Sequence, residues 1–258
     1  MKLPVLFFGH GNPMYAIQPN PYTPRWKLLG EQLSRPKAIL MISAHWVTKG
    51  VKVTAMESPP TIHDFGGFPQ ALFDQQYLSP GSSNLAGLIK ELLAPKEVML
   101  DKQEWGLDHG TWTVLKHLYP DADIPVVQMS LDATLSSFEH YALAKKLAPL
   151  REQGVLIIGS GNVVHNLRTA DFSSRSIHPW AERFNEFFKK NLLSGNHDLL
   201  IDPFTNQEQD DANLSIPTLE HYWPVLYVLA LQELDERVEI FTDGIDLASI
   251  SMLSFKVG

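Results

Sequence analysis

Seven short apolar runs rich in β-branched residues, several of them apolar at consecutive positions, alternate along this 258-residue chain with longer amphipathic stretches. The runs cover residues 5–8, 38–43, 51–55, 126–130, 155–158, 238–241 and 252–257. A strand with one wet face alternates apolar and polar residues; a strand covered on both faces is apolar at successive positions. The amphipathic stretches at 24–33, 83–93, 112–118, 136–150, 179–193 and 218–231 have helical length. Strands alternating with helices predict an α/β fold, with a central, mostly parallel mixed β-sheet flanked by helices on both faces. The last two runs follow each other closely, so one sheet edge is expected to be antiparallel. Neither an internal repeat nor a linker-like tract interrupts residues 1–258, which read as a single domain. Residues 194–217, with the polar tract Asn206-Gln207-Glu208-Gln209-Asp210-Asp211, read as a loop or excursion.

Charge and composition remove several functions. Lys and Arg number 21 against 29 Asp and Glu, a formal charge of -8. That balance excludes the basic surface that nucleic acid or anionic lipid requires. There is no cysteine, so thiolate nucleophiles and thiolate metal sites are out, and any metal must be held by nitrogen and oxygen. The longest apolar run, residues 225–231, is too short to span a bilayer. Met1-Lys2-Leu3-Pro4 opens an apolar stretch too short for a signal-peptide core, so a cytoplasmic protein is expected.

Ten histidines remain, and several fall where such a sheet places its ligands, beyond the carboxyl ends of the strands. His10 ends the first run in Gly9-His10-Gly11, and His45 ends the second in Ser43-Ala44-His45-Trp46. His165 follows the fifth run, and His221 opens an apolar helix in Glu220-His221-Tyr222. Neutral imidazole is a common ligand for iron, zinc, copper and nickel. Each of these histidines could instead be a packed side chain bonded to backbone.

His109 lies in the Gly-flanked segment Trp105–Gly110, where it could exchange a proton with a planar ligand or simply cap the next helix. His63, in a Gly-containing loop at 61–69, either shapes a pocket or pairs with Asp64 at the surface. His117 and His140 fall inside helices and read as structural or solvent-facing; His178 and His197 have no evident chemical partner. Trp46, Phe65, Phe68, Trp105, Trp112 and Tyr222 could surround a flat ring or belong to the core, and Arg168 could pair with a substrate carboxylate or with Asp171. Nucleophile-elbow, phosphate-loop, dinucleotide and His-Glu-x-x-His motifs are all absent.

Taken together, Gly9-His10-Gly11 with Pro13-Met14, Ser43-Ala44-His45-Trp46, residues 61–69 and 105–110, Gly161-Asn162-Val163-Val164-His165-Asn166-Leu167 and Glu220-His221-Tyr222 resemble the class III extradiol aromatic ring-opening dioxygenases. The likeness is strongest to the DOPA 4,5-dioxygenase-type branch. Asp243-Gly244 and Ser251-Met252-Leu253-Ser254 fit it too, so it spans nearly the whole chain. The resemblance implies one divalent metal ion per chain, with His10, His45 and His221 as ligands and His165 as either a fourth ligand or an acid/base residue. His109 would be a second proton-transfer residue. It implies Fe(II) for ring cleavage, with Zn(II) also suited to such a nitrogen site. A small catechol and O2 would be the partners, acting on a monomer or small homo-oligomer. The wider superfamily uses two histidines and one carboxylate. The nearest carboxylate here is Glu220, and neighbours on a helix point about 100° apart, which favours His221 as the ligand. A zinc-dependent hydrolase on the same histidines and a non-catalytic metal-binding relative are the alternatives.

Overall fold

The computed structural model describes residues 2–173, 176–205 and 208–258. Its strands are β1 (Val5–Gly9), β2 (Ala38–Thr48), β3 (Val51–Thr54), β4 (Val98–Asp101), β5 (Val126–Asp132), β6 (Val155–Gly161), β7 (Val238–Thr242), β8 (Ile245–Asp246), β9 (Ile250–Ser251) and β10 (Ser254–Val257). Eight of them form one sheet in the order β4-β3-β5-β2-β6-β1-β10-β7, while β8 and β9 form a separate pair. The sheet's centre is parallel: β5, β2, β6 and β1 all run the same way. The expected antiparallel edge is β1-β10-β7. A second antiparallel pairing, Val53 with Met129, lies toward the other edge.

The helices are α1 (Thr23–Gln32), α2 (Gln70–Phe73), α3 (Ser83–Leu93), α4 (His109–Leu118), α5 (Ser137–Lys145), α6 (Pro149–Glu152), α7 (Pro179–Leu193), α8 (Asp198–Ile201), α9 (Gln209–Ser215) and α10 (Trp223–Leu229). They cover both faces, because successive strand residues point to opposite sides. Val5 and Phe7 join a core with Leu85 and Ile89 of α3, Leu143 of α5, Phe184 and Phe188 of α7 and Val225 of α10. Leu6 and Phe8 join a second core with Trp26 of α1 and Trp112 and Leu115 of α4. All residues of β1, β5 and β6 are buried, the polar Gln128, Ser130, Asp132 and Ser160 included.

Several boundaries differ from the expectation, the helical ones as follows. α4 starts three residues early, because the Asp108 carboxylate accepts the Thr111 N–H and caps its first turn. The stretch at 136–150 breaks after α5, and Pro149 opens the separate helix α6. The helix expected at 218–231 begins only at Trp223, with Pro224 in its first turn. The region read as a loop at 194–217 holds α8 and α9; Asn206 and Gln207 of its polar tract lie outside the described residues. Among the described residues, no helix is long and apolar enough to cross a membrane.

Candidate metal centre

β1, β6 and β2 are neighbours in the sheet and end on the same side, so the loops leaving them meet. His10 follows β1, and its main-chain N–H donates to the Gly161 carbonyl at the end of β6. His45 does not end its strand, since β2 continues to Thr48. The ladder between β2 and β5 breaks there: Ile42 pairs with Met129, and the next pairing is Val47 with Leu131. The extra residues form a bulge around His45, and a bulge re-aims side chains. His221 sits in the turn before α10, and its carbonyl accepts the Asn162 N–H just past β6. His165 is held by an N–H bond to the Ser215 carbonyl and a bridge to Ile250.

Distant parts of the chain therefore converge. Among the described residues, nitrogens of His10, His45 and His221 lie within 4.8 Å of one another, as do ligand atoms of His45, Asp64 and His109. The Nε2 atoms of His10 and His45 are 3.1 Å apart. Two nitrogens bound to one ion at about 2.0–2.1 Å stand about 3.0–3.4 Å apart, so this spacing fits a shared cation. The His10 tautomer follows from its neighbours. Ser160 Oγ donates its only proton to the Gly110 carbonyl at 2.6 Å, and so must accept from His10 Nδ1 at 3.0 Å. His10 Nε2 is left as a lone pair on the cavity side.

Burial keeps the cluster neutral. His10 and His45 are held well below the ordinary histidine range, first by desolvation and then by neighbouring histidines. His165 is pushed down to about 3 by burial and by His221. Burial also lowers His221, against the opposing pull of Glu220. Neutral nitrogens are the form that binds a cation. Glu220 is on a turn, not a helix, and its carboxylate lies 3.5 Å from His221 Nδ1, behind the ring. His165 stacks face to face on His221, with centroids 3.5 Å apart and planes 7° from parallel.

A cavity of about 320 Å³ opens above these groups. His10, His45, Asp64, His109, His165 and His221 line it, with Phe65, Phe68, Leu167, Phe172, Leu247 and Ile250 as apolar walls. Of the six aromatics singled out from sequence, Phe65 and Phe68 line it. Trp46 and Trp105 stack on each other instead, at 5.6 Å, while Trp112 and Tyr222 are fully buried in the cores. Arg168 is exposed and is not part of the lining. His63 bonds the Gln75 carbonyl, His117 the Tyr15 carbonyl, His140 the Tyr227 hydroxyl and His178 the Thr169 carbonyl. His197 lies between Tyr141 and Gln232.

Sequence reasoning missed Asp64. It turns away from His63 into the site, where its Oδ1 accepts the His109 N–H at 2.9 Å. Its signal was position: an acid inside a Gly-containing loop between aromatics. Behind the site, Asp108 is fully buried; Ser43 and Gln128 donate to it, and desolvation with the Asp64 charge lifts it to about 6.

The closeness of β6 to the His221 turn depends on one glycine. A β-carbon on Gly161 would lie 2.2 Å from the His221 carbonyl oxygen. Gly161→Ala is therefore expected to cost about 1–3 kcal/mol of stability and to weaken metal binding, read by thermal denaturation and metal titration. An unchanged melting temperature would contradict this packing.

Comparison with known proteins matches residues 21–250 to the catalytic LigB subunit of aromatic ring-opening dioxygenase. A 4,5-DOPA dioxygenase extradiol of Escherichia coli (strain K12) is 50% identical, covering 100% of this chain and 95% of that protein. One from Beta vulgaris is 36% identical over 97% of this chain and 94% of its own. A crystal structure of an uncharacterized protein from Escherichia coli K12 superposes with a TM-score of 0.87 at 44% identity, covering 100% of both chains.

Proposed function

Because the chain belongs to the family of the catalytic LigB subunit of aromatic ring-opening dioxygenase, we propose that it opens the ring of a catechol such as DOPA with O2, giving a muconic semialdehyde. The observation that carries this reading is the meeting of three neutral imidazoles at a cavity walled by Phe65 and Phe68. His10, His45 and His221 would hold one divalent ion. As Fe(II), that ion would supply positive charge toward the catechol oxygens and redox chemistry toward O2, the second of which redox-inert zinc would not.

His165 is given a proton rather than the ion. His165 stacks on His221, ring centroids 3.5 Å apart and planes 7° from parallel, so the two rings face each other instead of converging edge-on; His10, His45 and His221 would hold the ion and His165 would handle a proton. His165 lines the cavity, and the anionic oxygens of a bound catechol would raise its affinity for a proton that it could accept and later return. His109 faces the same space from the N-terminus of α4, against Phe65, and can take the other proton. Phe65 and Phe68 offer ring faces and edges for the substrate and keep water from its reacting side.

The test is oxygen consumption by protein loaded with Fe(II) under nitrogen, with metal content measured alongside. DOPA, or another member of a catechol panel, is expected to consume one O2 per ring opened and give a yellow product. The Zn(II)-loaded protein is expected to consume none. Absence of uptake across the panel, with iron bound, would overturn the reading.

A further inference from the structure

Two histidines of the site share one acid. Asp64 Oδ1 lies 3.0 Å from His109 Nδ1, and Asp64 Oδ2 lies 3.4 Å from His45 Nδ1. The His109 Nδ1 atom is buried and makes no aligned hydrogen bond, so the carboxylate is the acceptor within reach. Asp64 is itself mostly buried, 14% exposed. Its Oδ1 is already anchored by the His109 main-chain N–H.

Each neutral imidazole carries one proton, and which nitrogen holds it decides what the other can do. For His10 the choice is made by Ser160. For His45 it is open without Asp64. A proton on His45 Nε2 would point at His10 Nε2, 3.1 Å away, and fill the place of a cation. A proton on Nδ1 leaves Nε2 as a lone pair. We propose that Asp64 is a positioning residue that keeps the protons of both His45 and His109 on Nδ1, so that one Nε2 is a ligand and the other a proton acceptor. Carboxylates behind metal-binding histidines act in this way. The proposal rests on the assignment of His45 as a ligand and of His109 to proton transfer.

The test separates tautomer from fold. In the metal-free protein at neutral to alkaline pH, long-range 1H–15N spectra of the histidine rings distinguish the protonated nitrogen from the bare one. Spectra of His45→Gln and His109→Gln assign the two rings. Both are expected to carry the proton on Nδ1; a proton on Nε2 of either ring overturns the proposal, with no variant of Asp64 needed.

Asp64→Asn then probes consequence. The new amide keeps one oxygen for the His109 N–H, so a purely structural role would be preserved. Its NH2 group takes the place of the other oxygen and can only donate to His45 Nδ1. The His45 proton must move to Nε2, and Zn(II) affinity is expected to fall by about 10–100-fold. Unchanged affinity, or an unmoved His45 proton, overturns the proposal. Complete loss of binding overturns it too, because Asp64 would then be a ligand. Neither measurement uses turnover, so failure of the ring-cleavage reading is scored separately by oxygen uptake.

Discussion

His10→Ala and His45→Ala are expected to lose the divalent ion, while His109→Ala keeps it and loses turnover. The first two remove a nitrogen from the proposed three-nitrogen site and leave a gap among largely buried rings. The affinity lost should exceed the roughly 10–100-fold that an outer partner is worth. His109 stands beside His45, with ring centroids 3.8 Å apart, but its Nδ1 faces Asp64. Its loss should cost about 10²–10⁴-fold in kcat, the usual worth of a positioned acid or base. His165→Ala should behave like His109→Ala, because its stacked ring has been given a proton and not the ion. Metal titration and steady-state kinetics on the same preparations decide it. A His165→Ala protein unable to hold metal would return that residue to the ligand set.

The metal-free protein is expected to lose stability steeply as pH falls from about 6.5 to 5. His10, His45 and His165 stay neutral in the fold far below the ordinary histidine range, and His140, buried against Tyr227, is lowered to about 4. The unfolded chain takes up these protons near pH 6.5; the folded chain refuses them. The stabilisation is thus whole above the unfolded pKa and is lost as pH falls toward the folded ones. Asp108 works the other way, since its raised pKa lets the fold gain a proton near pH 6. His117, His197 and His221 are lowered by burial as well, so the histidines outnumber this one aspartate and stability falls with pH, by about 1.4 kcal/mol per pH unit for each proton of difference. Denaturant titrations at several pH values measure that slope. A flat profile between 6.5 and 5 would mean that the cluster is charged in the fold.

The sheet was legible because burial on both faces favours unbroken apolar runs, and 5–8, 38–42 and 155–158 are such runs. β4 was not, because Met99 is exposed and the strand lacks such a run. The histidines were legible as chemistry, since in a cysteine-free chain they alone offer imidazole nitrogens to a metal. Their geometry was not. The apparent adjacency of the first two runs hides β6, which comes late in the chain and threads between β1 and β2. The bulge that turns His45 depends on a register that only the paired strand defines. Asp64 could not be ranked above His63 from sequence, because which of two neighbours faces inward is set by the loop's path. Glu220 shows the converse error: a helical angle was applied to what the fold makes a turn.

β1 lies between β6 on one side and β10 on the other, with Val5 opposite both Ile157 and Val257. During biosynthesis, His10 leaves the ribosome well before residues 254–257, yet the strand before it has no complete seat until they have emerged. The seat of β1 is therefore complete only once residues 254–257 have joined it, and a nascent chain stalled short of that point would carry all five of its cavity imidazoles on an unfinished sheet.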